Sequence, residues 1–83
     1  MHKINIIPSA RKDLDGLDKN FFTQIRNKII SLASNPRPSG CLKLTTEEGY
    51  RIRSGNYRIL YRVDDKNNMI YVYRIKHRKE SYR

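Results

Sequence analysis

Apolar and polar positions follow two different periods along this chain, and the change of period divides it. "KINIIP", residues 3–8, is a short β-branched run that predicts a first strand closed by Pro8. Beyond it Ala10, Leu14 and Leu17 recur at i, i+4 and i+7, a helical stripe with Ser9 as its expected N-cap. Gly16 and Asp18 interrupt that stripe, and Asp18 is placed to cap a longer helix over residues 19–35. Phe21, Phe22, Ile25, Ile29, Leu32 and Ala33 give this second helix one apolar face. Asn35-Pro36 should stop it, because a residue before proline is pushed out of the α region.

After the stiff loop "PRPSG" the period becomes two. "CLKLT" reads as a short extended segment, and "YRIRS", "YRILYRV" and "MIYVYRIKH" read as three strands. Ser54-Gly55-Asn56 and Asp64-Asp65-Lys66-Asn67-Asn68 supply the two hairpin turns. The order is therefore an N-terminal strand, a two-helix hairpin and an antiparallel β-meander. That order implies an α+β fold with the helices packed on one sheet face, within one domain over residues 1–83. The other face is left for solvent or a ligand.

Strand alternation assigns the faces. Arg51 and Arg53 point one way from "YRIRS", and Arg58, Leu60 and Arg62 share a side of "YRILYRV". If Ile52, Ile59, Tyr61 and Val63 pack under the helices, all four arginines lie on the open face. Charge on a strand's solvent face is ordinary, and arginine also blunts sheet edges. The composition shifts the balance towards binding. Eighteen Lys and Arg stand against eight Asp and Glu, a net charge of +10. Such an excess favours a polyanionic partner: nucleic acid, an anionic membrane or an acidic protein. A membrane is the least favoured surface, since no basic amphipathic helix stands out and no segment approaches the roughly 18 apolar residues of a span. Six tyrosines could stack on unpaired bases or simply pack in strands. Tyr82 alone lies beyond the sheet.

Arginine keeps its proton, so these residues can clamp a phosphate but are poor bases. Proton-transfer groups crowd instead into "KHRKESY", where His77 has the side chain that titrates nearest neutrality. His2, His77 and Cys41 are too scattered to predict a metal site, and no nucleotide-binding loop or nucleophile elbow appears. No metal, cofactor or disulfide is expected, and a lone cysteine suits a reducing, cytoplasmic setting.

The succession "PSARKDLDGLD", "NPRP", "YRIRSGNYRILYRVDD" and "HRKESYR" resembles the RelE family of the RelE/ParE toxin superfamily, from about Ile4 to Arg83. The resemblance implies a small basic toxin of a type II toxin–antitoxin pair, with a cognate antitoxin, the ribosome and mRNA as partners. It implies a metal-independent endoribonuclease that cuts mRNA in the ribosomal A site, using the RNA's own 2′-OH. The family's basic pair on the first meander strand falls on Arg51 and Arg53, where some members have lysines. Its phosphate-gripping arginine falls on Arg58. Its basic residue after the last strand falls on Arg78, or on Lys76 or His77, and its tail tyrosine on Tyr82. Catalytic roles are thus expected of Arg51, Arg53, Arg58, His77, Arg78 and Tyr82, and RNA contacts of Arg51, Arg53, Arg58, Arg62, Lys76 and Lys79. Two other classes fit the same residues: a ParE-like inhibitor of DNA gyrase without nuclease activity, and a catalytically idle RNA- or antitoxin-binding module.

Overall fold

The computed structural model describes residues 1–45 and 49–77. Strand β1 spans Lys3–Ile6, and helix α1 follows at once over Pro8–Asp15. Pro8 thus opens the helix rather than closing the strand. Its fixed φ suits the first turn, where a missing N–H costs nothing. Ile7 takes the N-cap position, and Ser9 donates its Oγ to the Tyr73 carbonyl at 2.6 Å instead of capping. Helix α2 spans Lys19–Ser31, with Asp18 at the N-cap position but no side-chain capping bond. It ends before Asn35-Pro36, and tighter turns through Ala33 complete the run.

Strands β2 (Leu42–Lys43), β3 (Tyr50–Ser54), β4 (Tyr57–Asp64) and β5 (Met69–His77) follow. They form the expected antiparallel meander, and β1 joins beside β5 in parallel, so the sheet order is β1-β5-β4-β3-β2. A parallel neighbour requires a long crossover, which the helices supply. The core lies between helices and sheet. Ala10 and Leu14 of α1 and Ile25, Ile29 and Leu32 of the α2 region meet Ile52, Ile59, Tyr61, Ile70, Val72 and Ile75. Phe21 does not join this cluster. It remains 39 % exposed and tilts against the Tyr57 ring at 5.5 Å.

One irregularity decides which residues share a face. Between Leu60 and Tyr61 the β4–β5 register shifts: Leu60 pairs with Arg74, but Tyr61 pairs with Val72. Tyr73 is the extra residue of a β-bulge. Unbroken alternation would have put Arg74 and Lys76 on the core side with Ile70 and Val72. The bulge returns Ile75 to the core and turns Arg74 and Lys76 outward. Asp13 of α1 stabilises the break. Its Oδ2 accepts both the Ile75 N–H and the Arg74 Nε–H, each at 2.9 Å.

Candidate nucleic-acid interface

The β3–β4 hairpin fixes the register of the basic residues. Gly55 occupies the first central turn position with φ +61°, the conformation that a II′-type turn assigns to glycine. Arg53 consequently pairs with Arg58, and Arg58 pairs on its other side with Lys76. Side chains directly opposite in such pairs lie about 5 Å apart at Cβ, and like charges there repel. A cross-strand row of three cations is thus built on this face of the sheet. The next row, two residues along, carries Arg51, Leu60 and Arg74. Arg74 is drawn aside to Asp13, whereas Arg51 stays with the open face.

Arg58 departs from the expectation of an exposed arginine, being only 7 % exposed. It lines a groove of about 330 Å³ together with Lys28, Ser39, Gly40, Arg51 and Arg53. Lys28 comes from α2 and escaped the sequence reading, which offers nothing to distinguish it from other helix-surface lysines. Only the packing of α2 beside β3 brings it here. Four cations on one small groove concentrate positive charge of the kind that suits a phosphate.

His77 is placed differently. The bulge that turns Lys76 outward sends His77 to the helix side, opposite Tyr57. The two rings meet edge to face, with centroids 5.1 Å apart. His77 and Tyr57 line a second, larger hollow of about 580 Å³ with Lys12, Asp13, Leu17 and Arg74. The sheet therefore separates the imidazole from the row of Arg53, Arg58 and Lys76. Arg78, Lys79 and Tyr82 lie outside the described residues.

The other tyrosines sort by face. Tyr50 stacks on Tyr61, and the Tyr61 hydroxyl donates to the Pro36 carbonyl at 2.7 Å. Burial pushes that hydroxyl well above the usual phenol range. Tyr71 pairs with Arg62 on the open face, and the guanidinium lies over its ring at 5.7 Å. Away from the groove, Arg37 joins the α2–β2 loop to the β4–β5 turn. It donates to Asp65 at 2.7 Å and to the Tyr50 hydroxyl at 2.9 Å, while His2 Nε2 lies 3.1 Å from Asp65. The Arg37 and His2 hydrogen bonds hold the Asp65 carboxyl below the usual carboxylate range.

A basic α+β layer with a cationic groove defines a class of small anion-binding proteins, and comparison with known proteins narrows it. Residues 4–82 match the family model described as the ParE toxin of type II toxin–antitoxin system, parDE. The chain is 41 % identical over 84 residues to Toxin RelG of Mycobacterium tuberculosis, covering 99 % of this chain and 97 % of that one. In structure it is similar to a chain of the toxin–antitoxin complex RelBE2 from Mycobacterium tuberculosis. That match has a TM-score of 0.84 and 26 % identity, covering 93 % of this chain and 98 % of that one. It is similar as well to a chain of the archaeal RelE–RelB complex from Pyrococcus horikoshii, with a TM-score of 0.79 and 26 % identity over 93 % and 94 % of the two chains. The chain belongs to the ParE toxin family of type II toxin–antitoxin systems, within the RelE/ParE superfamily. Among the described residues, no helix is long and apolar enough to cross a membrane.

Proposed function

We propose that this toxin is a ribosome-dependent mRNA endonuclease of the cytoplasm, held in check by a cognate antitoxin. The supporting observation is the groove where Lys28, Arg51, Arg53 and Arg58 converge, with Lys76 completing the row beside Arg58. The reaction is an in-line displacement. The 2′-oxygen bonds to phosphorus, the bond to the 5′-oxygen breaks, and a cyclic 2′,3′-phosphate and a 5′-hydroxyl result. Charge grows on the non-bridging oxygens as phosphorus becomes five-coordinate. Fixed guanidinium charges are suited to that moment, because they neither lose a proton nor reorganise. Arg51, Arg53 and Arg58 supply this stabilisation, and Lys28 and Lys76 hold flanking phosphates. The proton from the 2′-OH needs an acceptor and the 5′-oxygen a donor, roles we assign to the tail that carries Lys79, Glu80 and Tyr82.

The antitoxin is supported by the relatives, two of which were solved as toxin–antitoxin complexes. Single-turnover cleavage of mRNA on programmed ribosomes tests the activity, with the neighbouring gene product added back to suppress it. The match to a ParE toxin model keeps one other reading open, the ParE-like gyrase inhibitor weighed from the sequence. Intact mRNA on the ribosome together with blocked gyrase supercoiling would replace the first reading by the second.

A further inference from the structure

The open sheet face does not end at the groove. Along β4 the residues Arg58, Leu60 and Arg62 share it, and rows of side chains recur every two residues, about 7 Å. The third row pairs Arg62 with Tyr71. From Arg58 to Arg62 is thus about 13 Å along the strand.

This row differs from the groove in kind. Arg62 is exposed, and no carboxylate among the described residues forms an ion pair with it. Its guanidinium lies over the half-buried Tyr71 ring. Its stem passes Gly49, where a Cβ would stand only 3.2 Å from Arg62 Cγ and 2.6 Å from the Tyr61 carbonyl oxygen. Gly49, at φ +128°, therefore leaves room on one side, and Tyr71 backs the guanidinium on the other. The cation thus sits beside an aromatic ring and remains open to solvent. The two carboxylates nearby are already engaged. Asp64 accepts from the backbone N–H and Nδ2 of Asn67, and Asp65 is taken by Arg37 and His2. Their charge still makes this end of the face a poor place for a phosphate.

We propose that Arg62 and Tyr71 form a base-stacking subsite that receives an unpaired RNA base beyond the nucleotide held in the groove. This inference rests on the RNA-binding reading above and names a second contact for it. A guanidinium plane backed by an aromatic ring offers a base a π-face without reading its edges, so the subsite accepts any base. Leu60, between the two sites, is only 9 % exposed, so it adds no charge or polar contact between them. An acidic peptide would gain less here, since the engaged carboxylates oppose its charge while the flat platform gives it nothing to stack.

The test uses a short single-stranded RNA with 2′-O-methyl sugars, which cannot be cut, carrying 2-aminopurine at each position in turn. With the full chain, one position beyond the groove should show quenched fluorescence. Tyr71→Ala and Arg62→Ala should each remove that quenching and weaken binding about tenfold, the loss of one base stack. Tyr71→Phe should retain both. Tyr71→Ala should leave the salt dependence of binding unchanged, whereas Arg53→Ala should lower its slope by about 0.7, one phosphate contact. If Tyr71→Ala and Arg62→Ala keep parent affinity and quenching while Arg53→Ala weakens binding, the subsite is refuted and the groove stands. If Arg53→Ala also changes nothing, the RNA-binding reading itself fails. Retained RNA affinity with lost antitoxin capture in the Tyr71 and Arg62 variants would assign the platform to a protein partner and overturn the proposal.

Discussion

Two adjacent residues of β5, Lys76 and His77, end on opposite sides of one sheet, and the two surroundings could hardly differ more. Lys76 stands in a cross-strand row with Arg58 and Arg53, three cations at neighbouring positions of the sheet. His77 stands against Tyr57, which in turn touches Phe21, in a sequence of ring contacts on the helix side. The first surrounding concentrates positive charge and suits binding an anion. The second adds aromatic contact and suits packing. Chemistry read from residue type alone would rank the imidazole first, yet it is the arginines that the fold gathers around one groove.

The largest effect that can sharpen this contrast is expected at Arg58. Arg58→Ala should slow single-turnover mRNA cleavage by about 10² to 10³, in line with losing one preorganised donor to a developing oxyanion. A rate within a few-fold of the parent would remove the groove from the chemistry. Lys76→Met keeps the stem and removes the charge. It should lower the salt slope of RNA binding by about 0.7 while costing less in rate than Arg58→Ala.

The division between faces depends on the bulge, and the bulge depends on Asp13. Asp13→Ala leaves the Ile75 N–H without its acceptor and should cost about 1 to 2 kcal/mol in denaturant unfolding. Asp13→Asn keeps an acceptor oxygen and should recover part of that. Equal stability of the parent and the Ala variant would mean that the strand chooses its register without α1. Further from the faces, Asp65 should contribute stability at neutral pH that is lost on acidification. Its folded carboxyl titrates below the unfolded value of about 3.9, so the contribution is present above that value and disappears as pH falls through the folded pKa. Melting curves of Asp65→Asn against the parent should converge in acid, with a small gap at neutral pH because the pair is exposed.

Much of this was legible in the sequence, for reasons that also explain what was not. Strands β3 and β4 and their Gly55 turn follow from strict alternation around a glycine, and the rows Arg51–Leu60 and Arg53–Arg58 follow from that register. Helix α2 is visible in its apolar stripe, though Phe21 within that stripe serves Tyr57 rather than the core. The bulge was invisible. "MIYVYRIKH" alternates well enough to hide the one position where period two breaks, and only the Asp13 contact, 62 residues away in the chain, marks it. Lys28 was hidden for a similar reason, since its place in the groove comes from helix-on-sheet packing and not from its neighbours. The burial of Arg58 was missed too, because alternation reports a direction and not what closes over it.

The smallest expected effect falls on His77, and it tests the contrast most directly. His77→Phe preserves a ring against Tyr57 and removes both nitrogens, so the edge-to-face contact can be kept while any proton transfer is lost. If the helix-side placement governs its role, single-turnover cleavage should stay near the parent rate and the pH profile should keep its shape. His77→Gln should then be the worse substitution, through lost ring packing, and the loss should appear as lower stability rather than slower chemistry. The opposite pattern has an equally clear form. A fall of about 10² in rate for both variants, with a step in the parent's pH profile that disappears in each, would make the imidazole the proton carrier. The end of β5 would then have to reverse its facing when RNA binds, and the division between an anion-binding face and a packing face would fail where Lys76 and His77 meet.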